Sequence, residues 1–259
     1  MKFRKDILFN VITLFFIISS PIVFILAAIP FIIIGLYLIL WNSYRTEKVE
    51  SLNETGKREN YTNTRSRDIT PIFKKLIPPD ASSCLDIGAG RYMSSHFMKC
   101  FFKKYVCLDI YNADIEQDLN IKKEINLPDN SIDIVIASNI LEHLVDPMPI
   151  ALEANRISKK YLIIGLPNEY PLDERLLILF GIYHDKIYPW GHKHRLSIKS
   201  NNELISSLWG KYEKRIYKFQ FIGARFIPNT IKQMLMEIFP SLFVGEVFYL
   251  VRKKDIPPT

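Results

Sequence analysis

The hydrophobic pattern divides the chain into a long apolar N-terminal stretch and a larger part in which short apolar runs alternate with mixed ones. The stretch from Ile7 to Tyr44 contains no charged side chain. A single helix over it would be roughly 57 Å long, whereas the hydrocarbon core of a bilayer is about 30 Å thick. Pro21 and Pro30 interrupt the run. We therefore predict two helices, which form either a spanning pair or a hairpin within one leaflet.

The charges on both sides of this stretch predict its orientation. Lys2, Arg4 and Lys5 precede it, and Arg45 and Lys48 follow it. Because positive charge marks the cytoplasmic side of a span, we expect both ends in the cytoplasm. A cleaved signal peptide fits less well, since its apolar core would be only about 7–15 residues long. We predict a membrane anchor over residues 1–44, a polar linker over 45–70 and a folded domain over 71–255.

Beyond the linker, predicted strands alternate with predicted helices. This alternation predicts an α/β domain in which a mostly parallel sheet carries helices on both faces. Two further apolar runs near the C-terminus predict a terminal antiparallel pair of strands. The predicted strands are Ser83–Ile87, Tyr105–Asp109, Ile132–Ala137, Tyr161–Leu166, Tyr212–Phe221 and Glu246–Arg252, and the predicted helices are Ser94–Lys104 and Pro147–Ser158.

Charge and cysteine content exclude some classes of function. The net charge is +7 and the sequence pI is near 9.1, but no arginine-rich run or basic helix is present. This disfavours a nucleic-acid partner and favours a basic domain beside an anionic membrane. Cys84, Cys100 and Cys107 show no CxxC spacing. We interpret Cys84 and Cys107 as core thiols and predict no metal site.

The residues after the first predicted strand indicate a nucleotide-binding loop. Gly88 and Gly90 allow the backbone to approach a ligand closely, and Asp109 ends the next strand about 20 positions after Asp86, where a carboxylate can bind ribose hydroxyls. A nicotinamide dinucleotide loop would need glycine at the position of Met93. Asp86 would also repel a pyrophosphate, whereas it suits a ligand that carries an ammonium and a sulfonium.

Together these motifs resemble the class I S-adenosylmethionine-dependent methyltransferase superfamily, and most closely its small-molecule and glycan-associated branch. The resemblance covers roughly residues 70 to 253. It implies a Rossmann-like, mostly parallel seven-stranded sheet. The motifs that carry it are Leu85–Gly90, Asp109, Asp118–Asn120, Leu127–Ile136, Ser138–Leu144, Gly165–Asn168, Arg175, Gly181 and His192–Ser197.

The resemblance also implies which residues bind S-adenosylmethionine. Gly88 and Gly90 would border its methionine part, with Asp86 anchoring the amino group. Asp109 would bind the ribose. The remaining implied contacts are Asp118 and Leu119 to the adenine, and Ser138 and Asn139 beside the methyl-bearing end.

Two features of this chain depart from the family pattern. Arg91 stands where the loop often has a third glycine, and the stretch between Asp109 and Asp118 is too short for a full second helix. Asp86 and Asp109 also have a structural interpretation, because a carboxylate at either position could cap the turn that follows.

Methyl transfer to a hydroxyl or ammonium requires removal of a proton, for which an imidazole is suited. His143, His192 and His194 are the candidate catalytic residues, with His184 as a further candidate. A buried structural role for His143 is an equal alternative. The segment from Tyr183 to His194 is either a lid over the acceptor or an ordinary crossover loop.

We predict a membrane-anchored methyltransferase that acts on a lipid or lipid-linked saccharide at the cytoplasmic face of the membrane. The alternative is a non-catalytic membrane-tethered binding or scaffolding module that keeps the methyltransferase fold.

Overall fold

A computed structural model describes residues 69–89, 98–179, 192–221 and 226–253. The predicted anchor and nearly all of the predicted linker lie outside these residues. Within the described ranges, no helix combines the length and the apolar character that crossing a bilayer would require.

The described residues form one seven-stranded sheet, as the resemblance implied. The strands are β1 Ser83–Ile87, β2 Lys104–Asp109, β3 Ile115–Glu116, β4 Ile132–Ser138, β5 Ser158–Pro167, β6 Lys214–Phe219 and β7 Val244–Arg252. Their order in the sheet is β3-β2-β1-β4-β5-β7-β6. Strands β1 to β5 pair in parallel, while β7 lies antiparallel between β5 and β6.

The predicted terminal antiparallel pair is confirmed, and so are the four predicted parallel strands, with ends that differ by up to three residues. The predicted helix Ser94–Lys104 is wrong at its C-terminal end. Lys99–Phe101 is a single 3-10 turn, and Lys104 is the first residue of β2. The backbone N–H groups of Lys103 and Lys104 both donate to the Ser82 carbonyl, which aligns this segment with β1 before a helix could continue.

One helix precedes β1, and the others lie between strands. A second 3-10 turn, Leu141–His143, follows β4 directly. The Ser197 hydroxyl caps the first turn of the helix that begins at Ile198 by accepting from the Ser200 N–H at 3.2 Å. The helices are α1 (residues 69–76), α2 Met148–Ile157, α3 Leu172–Leu179, α4 Ile198–Trp209, α5 Asn229–Ile238 and α6 Pro240–Phe243.

Successive side chains of the strands enter two separate apolar cores, one on each face of the sheet. Leu85 and Ile87 of β1 pack on one face with α2 and α4. Cys84 packs on the other face, where Phe73 and Leu76 of α1 cover the sheet. Helices therefore cover both faces, as predicted.

The ends of several strands and the connection from β6 to β7 lie at one edge of the sheet. The carboxyl ends of β1, β2, β4 and β5 meet there, because these strands are parallel. Phe219 of β6 pairs with Val244 of β7, and Pro167 of β5 pairs with Glu246. The connection from β6 to β7, which contains α5 and α6, therefore begins and ends at the same edge. We call this the carboxyl edge.

Candidate active site

The turn after β1 requires glycine at position 88. Gly88 has a φ of +70°, which L side chains rarely adopt. A Cβ at this position would lie 2.6 Å from the Ile140 side chain, which is closer than real contacts allow. The Gly88 N–H donates to the Leu108 carbonyl at 2.8 Å, so the turn is bound to β2. Gly90 lies outside the described residues.

Asp86 is the penultimate residue of β1, and its carboxyl group is buried. Its Oδ2 accepts a hydrogen bond from the Tyr105 hydroxyl at 2.6 Å. The pKa of Asp86 is raised to about 7, mainly by burial, while the Tyr105 hydrogen bond lowers it and the nearby Asp109 carboxylate raises it. A cation placed beside Asp86 would favour its ionised form.

Asp109 ends β2 at the rim of a cavity of about 350 Å³. Its Oδ1 accepts from the backbone N–H of Ile110 at 2.6 Å. Asp118 lies across the cavity in a short turn, where its Oδ1 accepts from the Asn120 N–H at 2.8 Å. Leu119 is buried in the adjoining core and also faces the cavity. Ile110 lines the cavity too. The other lining residues are Gly88, Gln117, Asn120, Ile140, His143, Leu144 and Lys193.

The structure therefore brings together five of the predicted site residues around this cavity: Gly88, Asp109, Asp118, Leu119 and His143. Asp86 and Ser138 line a small adjoining crevice, together with Gly88 and α1 residues Ile69 and Phe73.

Asn139 follows β4 with a φ of +54°, an unfavourable conformation for a residue other than glycine. Its N–H donates to the Gly165 carbonyl at 3.0 Å, and its Nδ2 donates to Glu246 Oε2 at 3.2 Å. Its side chain is thus directed toward β7, and it is not among the residues that line either opening. The strained backbone turns the chain from β4 into the Leu141–His143 turn, which carries His143 to the cavity.

Next to the cavity lies a group that we call the histidine cluster: Glu142, His143, Glu169 and His192. The rings of His143 and His192 meet edge to face, with centroids 4.6 Å apart. His192 Nδ1 lies 2.7 Å from Glu169 Oε1. Glu142 and Glu169 are 2% and 1% exposed, which places both carboxyl groups in the interior of the domain.

Backbone hydrogen bonds fix the two parts of the histidine cluster to each other. The N–H groups of Lys193 and His194 donate to the Glu142 carbonyl at 2.7 and 3.2 Å. The Glu169 N–H donates to the Leu196 carbonyl at 3.0 Å. These bonds hold the segment after residue 191 against the turn that follows β4.

His194 makes a different contact from the other two candidate histidines. Its Nε2 lies 3.2 Å from the Val145 carbonyl, at the surface of the domain. His184 and most of the segment Tyr183–His194 considered as a lid lie outside the described residues, which resume at His192.

Glu142, Glu169 and Lys193 belong to the site but were not predicted as site residues. Glu142 could have been found from its place beside His143, and Glu169 from its place just after Gly165–Asn168. The sequence carries no comparable signal for Lys193, whose position depends on its backbone bond to Glu142.

Comparison with known proteins identifies the chemistry of this site. Residues 85–164 match the family model described as a methyltransferase domain. The chain is an S-adenosylmethionine-dependent methyltransferase. The matched range runs from β1 to β5 and includes the glycine turn, Asp109, Asp118 and His143. No curated protein matches the sequence.

Solved structures show the same fold at low sequence identity. A SAM-dependent methyltransferase from Thermotoga maritima is 15% identical, with a TM-score of 0.53 over 78% of this chain and 96% of that protein. A methyltransferase from Bacillus halodurans is also 15% identical, with a TM-score of 0.51 over 72% of this chain and 99% of that protein. These likenesses support the class I methyltransferase fold.

The residues at the carboxyl edge fit S-adenosylmethionine, the cofactor of this methyltransferase. Gly88 lines both openings, where its turn packs against Ile140 too closely for a side chain. Asp86 is a buried carboxyl group suited to a cationic ligand, and Asp109 presents a carboxylate at a cavity lined by both apolar and polar side chains. The cofactor supplies an electrophilic methyl group on a sulfonium.

Proposed function

We propose that this methyltransferase transfers a methyl group to a membrane-associated acceptor, a lipid or a lipid-linked saccharide, at the cytoplasmic face of the membrane. One observation carries the proposal: an exposed apolar helix face, the cofactor cavity and the histidine cluster belong to the same edge of the sheet.

In this proposal the cofactor extends from the small crevice into the cavity. Asp86 binds the amino group of the cofactor, and the Gly88 turn borders its methionine part. Asp109 binds the ribose hydroxyls, and Asp118 with Leu119 borders the adenine. The lining of the two openings supports this order, since Asp86 and Ser138 line the crevice while Asp109 and Asp118 line the cavity.

The chemistry of the reaction assigns a role to the histidine cluster. Methyl transfer from a sulfonium is an in-line displacement at carbon, so the protein contributes mainly by positioning the acceptor and excluding water. An oxygen or nitrogen acceptor must also lose its proton. His143 faces the cavity and contacts His192, and Glu169 orients His192. We assign acceptor activation to this cluster.

Helix α5 provides the support for a membrane-associated acceptor. Ile231, Met234 and Ile238 form one stripe along it and are 43%, 50% and 58% exposed. Every residue of α5 is at least partly exposed. Phe239 and Phe226, next to the two ends of the helix, are 50% and 76% exposed. Contiguous exposed apolar side chains on an amphipathic helix are typical of a surface that rests in the lipid headgroup region.

Helix α5 also belongs to the same edge of the sheet as the cofactor cavity. It belongs to the β6–β7 connection at the carboxyl edge, and α6 at its end is bonded to the segment that follows β5. Asn168 Nδ2 and Arg175 Nη2 each donate to the Ser241 carbonyl at 3.3 Å. An anchored domain resting on α5 would present its active site to the bilayer.

The test is replacement of Ile231, Met234 and Ile238 together by serine in the full-length protein. Turnover on native membranes, measured as labelled methyl groups in the extracted lipid, is expected to fall roughly tenfold, the factor that about 1.4 kcal/mol of lost apolar burial gives. Cofactor affinity is expected to stay the same, because these side chains are not among the residues that line the crevice or the cavity.

The matched control is Leu152→Ser on α2, a side chain with the same 43% exposure as Ile231 on another surface of the domain. It should leave turnover unchanged. Equal turnover of the triple variant and the wild type on membranes, or label only in water-soluble products, would contradict the proposal.

A further inference from the structure

Three side chains of the histidine cluster are close enough together to share one metal ion. Glu142, His143 and His192 each offer a ligand atom, and these atoms all lie within 4.8 Å of one another. Glu142 is buried and the two histidines are partly buried. The backbone bonds from Lys193 and His194 to the Glu142 carbonyl hold the two segments in register, so this proximity is part of the fold.

The set of donor atoms is one that binds metals in other enzymes. Two imidazoles and one carboxylate hold catalytic zinc, and the same set with open positions holds non-haem iron. Structural zinc sites usually have four protein ligands, whereas three ligands leave a position for water or substrate. Two His and one Glu beside a cofactor cavity therefore match a catalytic metal site better than a structural one.

Glu169 provides a second, independent feature of such a site. A metal-binding histidine usually donates its other ring N–H to a carboxylate, which fixes its tautomer and orientation. His192 Nδ1 lies 2.7 Å from Glu169 Oε1, and Glu169 is 1% exposed. Because this contact commits Nδ1 to Glu169, a metal would bind His192 through Nε2.

We propose that Glu142, His143 and His192 bind one divalent transition-metal ion, with Glu169 as the positioning residue of His192, and that the ion binds the oxygen of the methyl acceptor. This inference rests on the proposed function and specifies how the histidine cluster activates the acceptor. It also narrows the acceptor to one with a hydroxyl group, such as a saccharide or headgroup hydroxyl.

The step balances without a further reactant. A hydroxyl that coordinates the ion has a lowered pKa and releases its proton to water. A lone pair of the resulting oxygen forms the bond to the methyl carbon. The carbon–sulfur bond breaks with its electron pair remaining on sulfur, so the sulfonium becomes a neutral thioether. The metal keeps its oxidation state throughout.

The experiment measures metal binding directly on the full-length protein in detergent. Protein freed of metal with a chelator is equilibrated with Zn²⁺ or Co²⁺, and bound metal is determined by mass spectrometry and by the Co²⁺ absorption spectrum. We expect about one ion per chain for the wild type. Glu142→Gln and His192→Asn should lose most of this binding, and Glu169→Gln should weaken it by roughly 10–100-fold.

His194→Asn is the matched control, because His194 is two positions from His192 but bonds to the Val145 carbonyl. It should bind metal like the wild type. Circular dichroism checks that each variant is folded, and His143→Asn replaces any variant that is not. Absence of a bound ion in the wild type, or equal binding by the wild type, His192→Asn and His143→Asn, would overturn the metal site.

Activity provides the second measurement. Methyl transfer should be restored to the metal-free wild type by Zn²⁺ or Co²⁺ and should not be restored to His192→Asn. Equal turnover with and without metal would refute the role of the ion in acceptor activation. If one ion binds as expected but methylated product is found only in the aqueous fraction, the metal site stands and the membrane acceptor is wrong.

Discussion

Burial and cofactor binding have opposite effects on the ionisation of Asp86. In the unliganded protein, burial raises its pKa from 3.8 to about 7, so half of the molecules carry a neutral carboxyl group near neutral pH. A cationic cofactor group binds only the ionised form. Protonation therefore competes with cofactor binding, and the competition grows as the pH falls.

We predict that S-adenosylmethionine affinity decreases by roughly tenfold per pH unit below about pH 7 and is nearly constant above it. Calorimetric titration at a series of pH values measures this. Asp86→Asn should bind weakly at every pH and should remove the dependence. A wild-type affinity that is constant from pH 6 to pH 8 would exclude Asp86 as the partner of the amino group.

The raised pKa of Asp86 also predicts how the stability of the unliganded protein depends on pH. Because the folded-state pKa of Asp86 lies above its unfolded value, the stability that this group contributes is present at low pH and is lost as the pH rises through about 7. Asp86→Asn should therefore raise the Tm above pH 7, while wild type with cofactor should be stabilised and the variant should not.

Asp109 tests the ribose assignment separately. A carboxylate that accepts hydrogen bonds from two ribose hydroxyls contributes charged hydrogen bonds, so Asp109→Ala should weaken cofactor binding by roughly 1.5–3 kcal/mol. The pH dependence that belongs to Asp86 should remain in this variant with a lower midpoint, because the Asp109 carboxylate no longer raises the pKa of Asp86. Unchanged affinity in Asp109→Ala would mean that Asp109 only caps the turn at Ile110, to whose N–H its Oδ1 already bonds.

At the scale of secondary structure, the long buried strands were predictable and the short elements were not. Ile132–Ser138 and Ser158–Pro167 contain runs of buried residues. These runs are visible in the sequence as consecutive apolar residues. Strand β3 is only Ile115–Glu116, and a single apolar residue gives no pattern. The predicted helix Ser94–Lys104 is wrong at its end because pairing with β1 through the Ser82 carbonyl decides the conformation of Lys103 and Lys104.

The histidine cluster shows why the site was only partly predictable. The cofactor residues follow strands at fixed positions, so one sequence motif marks each of them. Glu142 and His192 are instead far apart in the chain and are joined through backbone bonds made by Lys193 and His194. Such bonds leave no mark in the identity of the residues that form them. The sequence therefore predicted the histidines individually and missed that they share a site.

At the scale of the whole molecule, the apolar stretch Ile7–Tyr44 and the exposed stripe of α5 would both bring the active site to an acceptor in the membrane. An anchor confines the domain to the membrane and raises the effective concentration of any acceptor held there. The stripe on α5 would then orient the confined domain. Removing the anchor should therefore cost much more on membranes than on a soluble acceptor analogue.

We predict that deletion of residues 1–44 leaves cofactor affinity unchanged, because the described cofactor residues lie within the sheet and its loops. Turnover on native membranes should fall by roughly 100-fold or more, the range of effective-concentration gains that tethering gives. The comparison uses labelled methyl transfer to extracted lipid and to the aqueous fraction, with equal amounts of full-length and shortened protein.

Fusing the shortened protein to an unrelated membrane anchor should restore turnover, since confinement does not depend on the anchor's sequence. Equal rates with and without residues 1–44 would contradict the tethering role, and failure of the unrelated anchor would assign residues 1–44 a direct part in acceptor binding.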